Sequence, residues 1–413
     1  MTRHPRARLA ALSTLILLGA GLATATTSPS AEARPEPGTK DRDVRFQTFN
    51  ASLNRAAAGE LVADLSTRED AQAASVAEII QRTRPDVLLL NEFDYVPGGR
   101  AVDLFRDHYL EVGQGGARPI DYPYAYVAPS NTGVPSGFDL DGNGTVGGGN
   151  DALGFGEFEG QYGMAVLSRY PIDTGEVRTF RDFRWADMPG ALLPDNAATP
   201  DPADFYSPEE LAALPLSSKS HWDLPIRVGR ETVHFLVSHP TPPTFDGAED
   251  RNGRRNHDEI RFWADYVAGA RYVYDDRGRR GGLERRASFV IAGDQNADPL
   301  DGDSVDAAID QLLGNRLIQD PQPTSAGGPE AARLQAGANL AHRGDPAYDT
   351  ADFNDNPAPG NLRADYVLAS RDLRVRDAGV FWPVAADPLS RLTGTFPFPS
   401  SDHRAVWVDL RVR

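Results

Sequence analysis

The sequence predicts an α/β sandwich of layered sheets, and three observations carry that expectation. Short apolar runs of strand length recur along the chain, and amphipathic segments of helical period lie between them. Each run also has, at one end, a residue able to bind a metal ion or move a proton. With 413 residues, 40% hydrophobic and 24% charged, the chain can bury a large core, as one big domain or two smaller ones.

The first segment is of a different kind. Arg3, Arg6 and Arg8 precede the apolar run Leu9 to Ala23, and Ala31-Glu32-Ala33 offers a small-x-small cleavage site. Residues 1–33 therefore read as a secretory signal peptide, with Ala23-Thr24-Ala25 as a competing cut. A membrane anchor is the weaker reading, because the apolar run is short for a bilayer. Residues 34–41 make a short linker, and 42–413 are expected to be the working domain of an extracellular protein, with a Gly-rich insertion near 131–160. No second apolar stretch of that length follows, so no stable membrane association is expected, and nothing implies an obligate protein partner.

Export usually permits disulfides, yet the chain has no cysteine. Stability must come from core packing, to which a bound metal could add, and thiolate metal sites and cysteine nucleophiles are excluded. Removing residues 1–33 takes away three Arg and one Glu, so the net charge falls from −17 to −19. Such acidity disfavours tight, sequence-independent duplex binding, which relies on Lys and Arg at the phosphates.

From there the elements follow in order. VRFQTFNAS alternates toward Asn50, and a helix is expected over Ser66 to Arg82, halted before Pro85. Val87 to Leu90 is continuously apolar and ends in Asn91-Glu92; Phe235 to Val237 ends in Ser238-His239-Pro240. A second helix is expected over Asn256 to Tyr272, with Asn256 as N-cap, Asp258 and Glu259 in the first turn, and Ile260, Trp263 and Val267 on one face. Phe289 to Ala292 runs through Gly293 into Asp294, Asn296 and Asp298. Tyr366 to Leu368 is entered from Asp365, and the final strand from Asp402-His403. One polar strand end is punctuation; six suggest a shared rim.

The pieces TFNAS, LLLNEFD, YGMAVLSRYPI, LVSHP, IAGDQNADP, ADYVLAS and SSDHRAVWVDL, in that order, resemble the endonuclease/exonuclease/phosphatase superfamily, which includes deoxyribonuclease I, exonuclease III, inositol polyphosphate phosphatases and sphingomyelinases. The resemblance covers roughly Arg42 to Arg413, but not the section Arg178 to Lys219 or the Gly-rich stretch near Phe138. It implies a four-layer sandwich, two stacked mixed β-sheets with outer helices as in deoxyribonuclease I, and metal-assisted hydrolysis of phosphate esters.

By that resemblance Glu92 is the principal ligand of Mg²⁺ or Mn²⁺, Asn50 helps hold the ion or the phosphate, and Asp402 sits beside the metal. Asp294 orients or deprotonates the attacking water, and Asn296 donates to a phosphate oxygen. His403 meets the phosphate with Asp365 against its other ring nitrogen, and His239 is a candidate general acid. Lys219 and His221 in SSKSHWDLP read equally as anion contacts or a solvated turn. The basic run RNGRRNH, Arg251 to His257, reads as a phosphate contact or as partners for surplus carboxylates.

Apart from the family pattern stands DLDGNGTVGGGN. Asp139, Asp141, Asn143 and Thr145 are spaced like the first half of an EF-hand calcium loop, although position twelve is Asn150 and no helix precedes it. A structural Ca²⁺ and a flexible turn are both open. The expected function is a secreted nuclease or phosphodiesterase. A phosphomonoesterase on small esters and a noncatalytic calcium-binding protein on the same fold are the alternatives.

Overall fold

A computed structural model of the chain describes residues 42–413. The expected signal peptide and linker lie outside the described residues. Two six-stranded mixed sheets form the centre. In spatial order the first contains Arg374–Val380, Val406–Val412, Arg42–Leu53, Val87–Phe93, Met164–Ser168 and Tyr124–Tyr126. The second contains Arg178–Thr179, His221–Val228, Glu231–Ser238, Ser288–Asp294, Asp365–Ser370 and Ile318–Gln319.

Strands buried on both faces must be apolar at successive positions, which is why these runs do not alternate. Leu89 and Val290 point between the sheets, where Phe46 and Phe235 approach with ring centroids 5.5 Å apart. Their neighbours Leu88 and Leu90 instead meet Ile79 and Ile80 of the helix Ala71–Thr83, outside the first sheet. Phe289 and Ile291 meet Ile260, Trp263 and Tyr266 of the helix Arg251–Val267, outside the second. Four layers result, as the sequence led one to expect.

Both helix boundaries need correction. The helix expected over Ser66 to Arg82 starts five residues late, as Ala71–Thr83, because the Asp70 carboxylate accepts from the amide of Ala73 at 2.7 Å and caps it there; Ser66 instead ends a separate short helix, Glu60–Leu65. The second expected helix starts five residues early, at Arg251. Asn256 is thus no cap but an interior, buried residue whose amide joins Thr241 O and Gln295 O at 2.8 and 2.9 Å. Among the described residues no helix is long and apolar enough to cross a membrane.

Candidate active site

The two sheets present strand ends to one place. Parallel pairing of Arg42–Leu53 with Val87–Phe93 sets Asn50 beside Asn91, and antiparallel pairing sets Asp365 opposite Asp294. Asn91 ties the sheets together here: its Oδ1 accepts from the Asp294 amide at 3.3 Å and its Nδ2 donates to Ser238 O at 3.4 Å. Gly293, at φ 147, lets the strand turn into Asp294; a Cβ there would collide with Ser238 O. Glu92 and Asn296 follow in the left-handed region, at φ 54 and 51. Such conformations cost about 1 kcal/mol or more each and concentrate at functional sites, where they re-aim side chains.

Asp294 is the centre. Its Oδ2 accepts from Asn50 Nδ2 at 3.1 Å and lies 3.4 Å from His239 Nε2 and 3.6 Å from His403 Nε2. Its Oδ1 accepts from the amide of Asn296 at 2.9 Å. Burial raises its pKa to about 7, against the pull of His403. Behind it, His403 Nδ1 meets Asp365 Oδ2 at 2.8 Å, and the same oxygen accepts from Thr350 Oγ1 at 2.9 Å. Burial disfavours the His403 cation, but Asp365 and Asp294 outweigh it and hold the imidazole well above its ordinary range, so it is charged.

His239 behaves oppositely. Burial, then the charges of Lys219 and His403, hold its pKa well below the ordinary value, so its ring is neutral, and Nδ1 has no partner. A neutral ring offers one N–H rather than a spare proton, which bears on the general-acid role the resemblance implies.

Glu92 and Asp402 stand at the half-buried mouth. Burial raises the Glu92 pKa first and the charge of Asp402 raises it further, while His403 and a hydrogen bond from Asn50 work against this. Two carboxylates that repel each other, beside the Asn50 amide whose Oδ1 accepts from the Ser52 amide at 3.2 Å, make an oxygen donor set suited to a hard divalent cation. Glu92, Asn50 and Asp402 would hold it. Asp294, Asp365 and His403 also bring ligand atoms within 4.8 Å of one another. There, however, Asp365 Oδ2 is already committed to His403 and Thr350, which suits proton positioning better than metal ligation.

All eight candidate residues thus converge. Sequence reading missed Asn91, Thr350 and the pair Ser52 and Ser401, whose hydroxyls join at 2.9 Å and anchor Asn50 O and Asp402. Small hydroxyl and amide groups leave no period or spacing that would have found them.

Other expectations change. Of the two readings of the basic run, contacts within the protein are the ones observed: Arg255 is buried and donates to the carbonyls of Leu153, Pro215 and Leu216, Arg254 donates to Leu193 O, and Arg251 pairs with the carboxylate of Glu249. SSKSHWDLP is no solvated turn, because Lys219 and His221 are both buried. His221 lies between Phe262 and Trp263, with Nε2 on Glu259 O at 2.9 Å, and burial lowers its pKa to about 4. It is a neutral core histidine. In the Gly-rich insertion the third carboxylate is Asp151, not a residue at position twelve: Asp139, Asp141 and Asp151 bring oxygens within 4.8 Å of one another, and Asn150 is exposed.

A rigid carboxylate at the end of one sheet, a carboxylate-oriented imidazolium beside it and an oxygen-rich mouth able to bind a divalent metal fit a phosphoester hydrolase. The chain belongs to the Endonuclease/Exonuclease/phosphatase family, whose model matches residues 48–403. No curated protein matches it in sequence. Similar solved structures include an endonuclease/exonuclease/phosphatase from Beutenbergia cavernae, 18% identical with a TM-score of 0.48 over 90% of this chain and 72% of that one. Sphingomyelinase C from Streptomyces griseocarneus is 15% identical, with a TM-score of 0.44 over 89% and 99% of the two chains. A mannosyl-6-phosphatase from Bacteroides thetaiotaomicron is 13% identical, with a TM-score of 0.42 over 89% and 99%.

Proposed function

We propose that this protein is a secreted phosphodiesterase or extracellular nuclease in which water attacks phosphorus in line with the leaving oxygen. The observation that carries this reading is Asp294: buried, raised to about 7, and held by Asn50, His239 and the Asn296 amide, it is a fixed acceptor for a water proton. His403, kept charged by Asp365, offers Nε2–H to a phosphoryl oxygen. Asn296 Nδ2 donates to Pro240 O at 3.1 Å and has a second hydrogen for phosphate. Magnesium or manganese bound by Glu92, Asn50 and Asp402 supplies charge neutralisation. The N-terminal pattern of residues 1–33 supports secretion. The grouping of Asp139, Asp141 and Asp151 supports a structural calcium ion in the insertion.

The test is turnover of bis(p-nitrophenyl) phosphate, p-nitrophenyl phosphate, plasmid DNA and RNA after EDTA treatment and readdition of Mg²⁺. Metal-restored activity on diesters, above that on the monoester, is expected. Activity confined to the monoester would make the protein a phosphomonoesterase, and no metal-dependent turnover on any substrate would favour a noncatalytic binding protein.

A further inference from the structure

A lysine ammonium is expensive to bury without partners, because its three donors and its charge leave water together. Lys219 is 93% buried by its 7% exposure, yet its Nζ makes one hydrogen bond, a long one of 3.4 Å to Pro240 O. Among the described residues no carboxylate forms an ion pair with it. The negative group that acts on it most strongly, Glu259, is committed elsewhere: Oε1 accepts from the Ser218 amide and hydroxyl at 2.7 and 3.0 Å, and Oε2 accepts from the Thr241 amide at 2.7 Å. The other negative groups that act on Lys219 are Glu92 and Asp294, the groups placed at the metal and the water.

The location is equally specific. Pro240 O accepts from both Lys219 Nζ and Asn296 Nδ2, so the ammonium lies beside the amide proposed to meet phosphate. The charge of Lys219 also helps keep His239 neutral. The backbone that carries it is clamped by the insertion. The amide of Asn131 donates to Lys219 O at 2.9 Å, Asn131 Nδ2 donates to Ser217 O at 2.8 Å, and Gly154 packs so closely on Ser218 O that no side chain would fit. Glu259, from the outer helix, holds the same turn from the other side. The section that lacks the family pattern therefore places one buried ammonium beside the Asn296 amide of the site.

We propose that the Lys219 ammonium is a catalytic group that contacts a non-bridging phosphoryl oxygen of the substrate beside Asn296. This rests on the phosphoesterase reading for its substrate. It adds a fixed positive charge supplied by the protein on the His239 side of the site. A buried donor that finds its missing acceptor only when phosphate arrives is preorganised for charge that grows at the phosphoryl oxygens. Burial lowers the Lys219 pKa, and an arriving anion reverses that pressure.

The experiment is calorimetric binding of inorganic phosphate to the Mg²⁺-loaded wild type, Lys219→Met and Lys219→Gln, together with kcat, KM and melting temperature. One folded neutral variant suffices. Hydrogen bonds to charged groups predict phosphate binding weakened about 10- to 150-fold, and kcat lowered about 100-fold or more, with Mg²⁺ affinity unchanged. A purely structural lysine would lower the melting temperature but leave phosphate affinity and kcat near wild type, and that result overturns the proposal. If the wild type cleaves esters and the variants bind phosphate normally, Lys219 is misassigned and the enzyme reading stands. If the variants lose phosphate but the wild type cleaves no ester, Lys219 stands as a phosphate contact only, and both its catalytic role and the enzyme reading fall. A wild type that binds no phosphate overturns the proposal.

Discussion

Asp365→Asn removes one charge and almost no volume, which makes it a direct test of how His403 is set. Asp365 is fully buried, and its Oδ2 receives His403 Nδ1 at 2.8 Å and Thr350 Oγ1 at 2.9 Å. The amide oxygen of Asn could still accept both bonds, so packing survives, but the charge that favours imidazolium is gone. A hydrogen bond to a charged partner is worth about 1.5–3 kcal/mol, and a pKa unit is about 1.36 kcal/mol. The His403 pKa should therefore fall by about one to two units, and kcat/KM by about 10- to 150-fold, if the cation stabilises the transition state. The sign is fixed: a histidine raised by its partner loses charge at lower pH once the partner is neutral. Imidazole resonances followed by NMR across pH, identified by comparison with His403→Gln, measure the shift, and pH–rate profiles measure its effect. A His403 pKa within a few tenths of wild type, or a rate within twofold, would refute the assignment of Asp365 as the residue that keeps this imidazole charged.

Three other outcomes are expected. Glu92→Gln should raise the Mg²⁺ concentration for half-maximal activity by about tenfold or more, read from activity titrations; an unchanged requirement would remove Glu92 from the metal site. Mg²⁺ should raise the melting temperature more at pH 8 than at pH 5. The folded-state pKa values of Glu92 and Asp294 are raised, so protons already quiet these carboxylates in acid, and the metal has less repulsion to relieve. An equal effect at both pH values would contradict this. Asp349→Asn should stabilise the fold by about 1–3 kcal/mol at pH 9, and not at pH 4. Burial and the neighbouring Asp298, Asp301 and Asp345 raise Asp349 from 3.8 to about 8, so its contribution to stability is present below about pH 4 and lost as pH rises through 8. Urea denaturation at the two pH values would show it.

The sequence by itself determined the layered fold and the rim. Strands buried on both faces must read as unbroken apolar runs, as in Val87 to Leu90 and Phe289 to Ala292, and their polar ends stand out against that background. Asn50, Glu92, His239, Asp294, Asn296, Asp365, Asp402 and His403 were legible for that reason. What only the tertiary structure decided is which charges face each other. Lys219 looks like a turn residue and is a buried cation; Arg255 looks like a phosphate contact and is a core donor; His239 and His403 have the same side chain and opposite protonation. Charge state depends on desolvation and on neighbours within a few ångströms, and those neighbours come from segments as distant as Asn50 and His403. No local pattern records such encounters; the packing of the two sheets against each other creates them.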